Sequence, residues 1–168
     1  QLQYGNSNTY LERIQEEITS TGQSLDDIVW SINTKFDTLQ EMAARMRRYA
    51  AEMFDSRQVK YDLKMDDALL EKRIKMELRR DIFLVYKELI NNIVKHSHAS
   101  EVLIRIGVIN DLLVLNMYDN GVGFEPVKIS HRHGVQSIAD RVIKWKGKAE
   151  FINQENQGLR VTISIPLA

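Results

Sequence analysis

Along residues 11–32 the positions Leu11, Ile14, Ile18, Thr21, Leu25, Ile28 and Ile32, all aliphatic except Thr21, recur at alternating intervals of three and four. That is a heptad seam, and it predicts a long helix built to pair with another helix. The alternative is an amphipathic helix lying on its own domain. Thr21 and Gly22 weaken the middle, since Gly costs about 1 kcal/mol in a helix interior. Residues 1–9 are polar and unpatterned, which predicts a frayed start. Asn33-Thr34-Lys35-Phe36 breaks the seam. Asp37 or Thr38 then caps a second helix, with Gln40 or Glu41 three residues on. Leu39, Met42, Ala43, Met46, Tyr49, Ala50 and Met53 supply its buried face.

Further along, the period changes to two. Residues 57–65 alternate around Val59, Tyr61, Leu63 and Met65, which predicts a strand. Asp66-Asp67 opens a loop before a strongly apolar helix over about 74–97. Strands follow over 101–109 and 111–119, joined by a tight Ile109-Asn110-Asp111 turn. Residues 124–133 carry Pro126 and two His and show no period. A helix over 134–146 and strands over 148–154 and 158–166 close the chain. This order predicts an α+β fold: a two-layer sandwich, with a mixed β-sheet carrying helices on one face. A coiled-coil-type helix precedes it, so the expected division is residues 1–35 and 36–168.

Candidate chemistry sits on two short stretches about thirty residues apart. In Glu88-Leu89-Ile90-Asn91-Asn92-Ile93-Val94-Lys95-His96, positions 88, 92 and 95 fall on one helical stripe. Ile82, Phe83, Val85, Tyr86, Leu89, Ile90 and Ile93 make the rest of that helix apolar, so its polar groups need partners. The Asn92 amide oxygen suits a hard cation such as Mg2+, which brings phosphates with it. Lys95 suits those phosphates as a point charge. A solvated helix end with ordinary i,i+4 pairs is the plainer reading. The second stretch is Asp119-Asn120-Gly121-Val122-Gly123-Phe124. Leu113, Leu115, Met117 and Asp119 share one strand face, so the carboxylate ends the strand pointing into the core layer. A buried carboxylate needs donors, and an adenine amino group is one. Gly121 and Gly123 permit close backbone approach. A hairpin turn is the plainer reading here, but it leaves the inward parity of Asp119 unexplained.

These two stretches resemble the N-box and first G-box of the gyrase, chaperone, kinase and MutL ATPase superfamily, whose fold is the Bergerat ATPase fold. Within it the chain is most similar to sensor histidine kinases of bacterial two-component systems, in the nitrate-sensor and membrane-fluidity-sensor subgroup. Asp26-Asp27-Ile28-Val29-Trp30-Ser31-Ile32-Asn33 resembles the end of that subgroup's second dimerisation helix. His133-Gly134-Val135-Gln136-Ser137-Ile138-Ala139-Asp140-Arg141 resembles the lid-to-helix segment, and Gly158-Leu159-Arg160-Val161-Thr162-Ile163-Ser164-Ile165-Pro166 the closing strand. The resemblance implies a kinase that binds ATP and Mg2+ and passes the γ-phosphoryl to a histidine, for relay to a response regulator. It implies nucleotide contacts at Asn91, Asn92, Lys95, Asp119, Gly121, Gly123, His133, Gly134 and Val135, with Asn92 on the metal. Glu88 would orient the transfer or the metal shell. The exposed seam itself predicts a weak homodimer through the helix at 10–32.

The chain departs from that pattern at three points. No His carries the acceptor context, a following acid: His96 precedes Ser97, His98 precedes Ala99, His131 precedes Arg132 and His133 precedes Gly134. The acceptor helix is therefore expected to lie elsewhere, and the start at Gln1 rather than Met points to a piece of a longer protein. In the lid, Arg132 stands where the family usually has the first of two glycines. In the closing strand Leu159 stands where it usually has Thr, so Asp119 lacks a hydroxyl partner worth about 1 kcal/mol. Two further readings stay open: a degenerate nucleotide-binding regulatory module without kinase activity, and an anti-sigma-type serine kinase. The Asp-Asp-Ile-Val-Trp run and the seam argue against the latter.

Composition narrows the rest. There are 168 residues, with 23 Lys and Arg against 23 Asp and Glu, which argues against nucleic-acid binding driven by net charge. There is no Cys, hence no disulfide and no thiolate metal site. No apolar run reaches membrane length and no signal peptide is visible, so a cytoplasmic location is expected. Any membrane anchor, in the inner membrane, would belong to another part of the parent protein. Arg45, Arg47 and Arg48 form a basic cluster that reads as a solvated face, with a phosphate- or partner-facing role open.

Overall fold

A computed structural model describes residues 39–70, 72–123, 133–154 and 158–167. The predicted pairing helix at 10–32, Arg132 and Phe124 lie outside the described residues. Helix α1 spans Leu39–Asp55 and buries Leu39, Met42, Ala43, Met46, Tyr49, Ala50 and Phe54. Phe54 takes the place expected of Met53 on that face. Strand β1 is Lys60–Met65, three residues shorter at its start than the alternation predicts. The reason is the helix end. Arg57 N and Val59 N donate to the Phe54 carbonyl, and Gln58 N to that of Asp55, with Gln58 at φ 57. Those amides satisfy the last carbonyls of α1 and are lost to a strand ladder.

The expected loop at 66–67 contains a short helix, α2 (Asp67–Leu70), begun by Leu69 N donating to the Asp66 carbonyl. Helix α3 runs Met76–Asn92 and continues as a π-helical turn, Ile93–Ser97. Strands β2 (Glu101–Ile109) and β3 (Leu112–Asp119) form a hairpin. Its two turn residues, Asn110 and Asp111, have φ of 50° and 59°, the left-handed pair that a two-residue hairpin requires. Asp111 is thereby removed from the strand predicted to begin with it. Helix α4 (His133–Lys144) and strands β4 (Lys148–Gln154) and β5 (Gly158–Pro166) complete the domain.

The five strands are ordered β1-β2-β3-β5-β4. β1 and β2 are parallel and the other pairs antiparallel, so the sheet is mixed as expected. Val102, Ile104 and Ile106, with Leu113, Leu115 and Met117 and with Val161, Ile163 and Ile165, are all buried and belong to one face. Helices cover that face; the other carries half-exposed residues such as Leu103 and Tyr118. Ile82, Tyr86 and Ile90 of α3 and Ile138 and Val142 of α4 complete the core. Asp81, buried on α3, accepts from Lys144 Nζ and Trp145 Nε1, both at 2.7 Å, and so ties the end of α4 to α3. The basic cluster proves to be split: Arg45 lies 5.2 Å over the Phe83 ring, while Arg47 and Arg48 are exposed. Among the described residues no helix is long and apolar enough to cross a membrane.

Candidate functional site

Asp119 is the last residue of β3, and it is buried, 2% exposed. Its parity is the one the alternation predicts. On one side it pairs with Val102 of β2, on the other with Leu159 of β5. Gly121 N donates to its Oδ1 at 3.0 Å. Burial pushes the carboxyl above the ordinary Asp range, and the backbone N–H groups of Gly121 and Leu159 oppose that shift.

In front of Asp119 is a cavity of about 260 Å³. Leu89 and Asn92 line it from α3 and Ile93 from the start of the π turn; Met117 and Asp119 line it from β3. Val122 and Gly123 contribute from the turn, Val135 from α4, Phe151 from β4, and Leu159 and Val161 from β5. The chamber is thus an apolar slot with one carboxylate at its floor and one amide on its helical wall. That suits a flat heterocycle carrying an amino group, with polar atoms leaving past Asn92.

The π turn decides which residues follow Asn92 around the wall. A 3.6 period places Lys95 at i+3 and His96 at i+4 on either side of the Asn92 stripe. In Ile93–Ser97 the turn is wider, and His96 and Ser97 line the cavity. Lys95 is exposed and outside the lining. Asn91 is likewise outside the lining. Its Oδ1 accepts from Tyr49 Oη of α1 at 2.9 Å, so the side chain is engaged away from the cavity. Glu88 is half-buried and absent from the lining. Its carboxylate lies against Gly134, where an added Cβ would overlap Oε1. His133 opens α4, and its side chain lies outside the described residues.

The glycine turn is built by proximity. A Cβ on Gly121 would overlap the Ser97 carbonyl oxygen, and Val122 N donates to that same oxygen at 2.8 Å. The end of the π turn and the turn after Asp119 are therefore in backbone contact. Asn120 braces the other side. Its Oδ1 accepts from Ser100 N and Glu101 N, both at 2.9 Å, and its Nδ2 donates to Ser100 Oγ at 3.0 Å. Gly158, at φ +88, passes so close to the Asp119 carbonyl that any Cβ would overlap it. Sequence reasoning missed His96, Ser97, Phe151 and the bracing role of Asn120. Only Asn120 carried a signal, as a turn-forming Asn whose side chain readily binds nearby backbone.

Among the described residues no group of three or more His, Cys, Asp or Glu could hold a metal ion. A metal held by Asn92 together with a ligand's phosphates does fit that donor set. Mg2+ typically takes few protein oxygens and completes its shell from phosphates and water.

An Asp-floored slot between a polar-striped helix and one face of a mixed sheet defines an ATP-binding α+β sandwich. Residues 77–168 match the family described as "Histidine kinase-, DNA gyrase B-, and HSP90-like ATPase", and the chain belongs to it. The sensor histidine kinase LiaS of Bacillus subtilis is 29% identical over 118 residues, 69% of this chain and 32% of LiaS. The sensor histidine kinase ComP of the same organism is 22% identical over 167 residues, 93% of this chain and 21% of ComP. The chain therefore spans about a third or less of the length of these relatives. The ATP-binding domain of PrrB from Mycobacterium tuberculosis superposes with a TM-score of 0.60 at 18% identity, covering 78% of this chain and 95% of that one. Acinetobacter baumannii histidine kinase AdeS gives 0.68 at 17% identity, covering 99% and 86%. These likenesses establish the fold, that of the histidine kinase ATP-binding domains.

Proposed function

We propose that this chain is the catalytic half of a two-component sensor kinase, with residues 36–168 binding ATP and Mg2+ and residues 1–35 forming the second dimerisation helix. The observation that carries the reading is Asp119: a buried acceptor facing a slot whose opposite wall presents Asn92. The Asp119 carboxylate accepts from the base amino group. Asn92 supplies an amide oxygen to the metal, which when bound neutralises phosphate charge. Lys95, exposed beyond Asn92, meets the phosphates. Gly123, Gly134 and Val135 shape the approach, and Glu88 orients the transfer. The reaction breaks the bond between the γ-phosphorus and the β,γ-bridging oxygen and forms a phosphorus–nitrogen bond on an imidazole, releasing ADP. Catalysis of this kind is largely positioning and charge stabilisation. None of the four His has the acceptor context, so the acceptor lies on another segment, and a receiver domain takes the phosphoryl group onward. Such relays operate in the cytoplasm.

The test is transfer in trans. With labelled ATP alone the chain is expected to remain unlabelled. With an acceptor-helix fragment of a sensor kinase added, acid-labile label should appear on the fragment and fall at least tenfold with Asn92→Ala. Label on His96, His98, His131 or His133 of this chain would overturn the division of labour.

The seam at 10–32 leads to the second proposal, a weak homodimer. Six large aliphatic side chains in one stripe are more than a soluble surface normally leaves open. Burial at about 1.5–3 kcal/mol per side chain supplies several kcal/mol even when partial. Sedimentation equilibrium is expected to show concentration-dependent dimers that Ile18→Asp abolishes. A strict monomer at high micromolar concentration, unchanged by that substitution, rules the seam out.

A further inference from the structure

We propose that Tyr49 and Asn91 are positioning residues that couple helix α1 to the metal-dependent part of nucleotide binding. The inference rests on the reading that Asn92 holds a metal together with the nucleotide.

The geometry is local and specific. Asn91 and Asn92 are neighbours on α3, about 100° apart around its axis. Asn92 lines the cavity, while Asn91 accepts from Tyr49 Oη at 2.9 Å. A fixed direction for the first amide therefore fixes the roll of the helix that presents the second. The phenol is itself held. Tyr49 is 9% exposed, its ring packs edge-on to Phe83 at 6.3 Å, and Lys87 Nζ lies 5.1 Å over it. A second phenol crosses the same interface in the other direction: Tyr86 Oη donates to the Met46 carbonyl at 3.0 Å. Met46 lies one turn before Tyr49, so α1 is held to α3 by two hydroxyls.

The tether acts where α3 is least able to fix its own roll. The Ile93 N–H is shared between the Leu89 and Ile90 carbonyls, and the π turn begins at that residue. The regular α-helical ladder thus ends directly after Asn92. The last polar anchor before that change is the Tyr49–Asn91 hydrogen bond. A shift of α1 then reaches Asn92 through one hydrogen bond and one peptide unit. It leaves Asp119 untouched, because Asp119 is fixed by the sheet ladder and by Gly121 N. The two halves of the site should therefore respond separately: the metal half follows α1, and the base half does not.

The experiment is titration calorimetry of ADP into the full chain, with and without Mg2+, for the wild type, Tyr49→Phe, Asn91→Ala and the double variant. The metal-free affinity should be unchanged in all four. The gain in affinity on adding Mg2+ should fall about 2- to 10-fold in each single variant, the worth of one hydrogen bond. The double variant should lose no more than either single, since both remove the same contact. A full Mg2+ gain in both singles, with only a lowered melting temperature, would overturn the coupling and leave a structural bond. So would losses that multiply in the double. A wild type that binds ADP without any Mg2+ gain would instead overturn the metal role of Asn92, and the coupling with it. A wild type that binds no ADP at all would refute the nucleotide site itself.

Discussion

Asp119→Asn is expected to cost about 10- to 150-fold in nucleotide affinity while raising the melting temperature of the ligand-free protein. The two effects share one cause. The carboxylate is buried at the floor of an apolar slot, with Gly121 N donating to it. With nucleotide bound, it accepts a charge-assisted hydrogen bond worth about 1.5–3 kcal/mol. Without nucleotide, its charge is under-solvated, and burial holds the folded-state pKa above the unfolded value. A group raised in this way contributes stability below its unfolded pKa and loses that contribution as pH rises through the folded pKa. At any pH above the folded-state pKa, the ligand-free wild type therefore carries a destabilising charge that Asn removes. Nucleotide affinity runs the opposite way, falling as pH drops through the folded pKa and the acceptor is protonated. Calorimetry and thermal melts of both proteins between pH 4 and 8 would check this. Unchanged affinity in Asp119→Asn would remove Asp119 from the site. A lower melting temperature at neutral pH would show that the carboxylate is stabilising after all.

Gly121→Ala should destabilise the turn that follows Asp119. Its Cβ would overlap the Ser97 carbonyl oxygen and stand 2.9 Å from Asp119 Oδ1. Both neighbours are anchored: Ser97 O accepts from Val122 N, and Asp119 is the end of a paired strand. Gly121 is absent from the glycines with positive φ, so crowding rather than backbone conformation demands a glycine there. Relief requires opening the contact between the π turn and the loop, at about 1–3 kcal/mol. The same opening displaces Asn92 and Asp119 relative to one another, so nucleotide affinity should fall with stability. Gly107→Ala is the control, since its Cβ would meet Asp66 Cβ at an ordinary 3.4 Å. Denaturant unfolding of the two variants decides the matter. Equal stabilities would mean that the turn yields freely and that its packing does not set the site.

Much of the fold follows from pattern alone because strands have a period of two and one covered face. The run from Leu113 to Met117 fixed which side of β3 is covered, and with it the burial of Asp119. The strand at 158–166 begins and ends where its alternation does. The pairing of Asp119 with Leu159 also follows from parity once those strands are neighbours.

Helix boundaries and helix faces were less legible. A 3.6 period extrapolated past Ile93 puts Lys95 and His96 beside Asn92, and in the wider π turn the lining residues are His96 and Ser97. The sequence shows two adjacent Asn residues, equivalent in chemistry. The helical stripe selects Asn92 for the slot, and the contact of Asn91 with Tyr49, forty-two residues earlier, is visible only once α1 is packed against α3. Likewise the start of β1 depended on Gln58 adopting a left-handed conformation to finish α1. The sequence by itself determined the sheet, its buried face and the acid at its end, because alternation is a local property that burial on one side enforces. Only the tertiary structure decided which polar side chains of α3 reach the cavity. That choice depends on the roll of one helix, and the roll is set by contacts with residues far away in the chain.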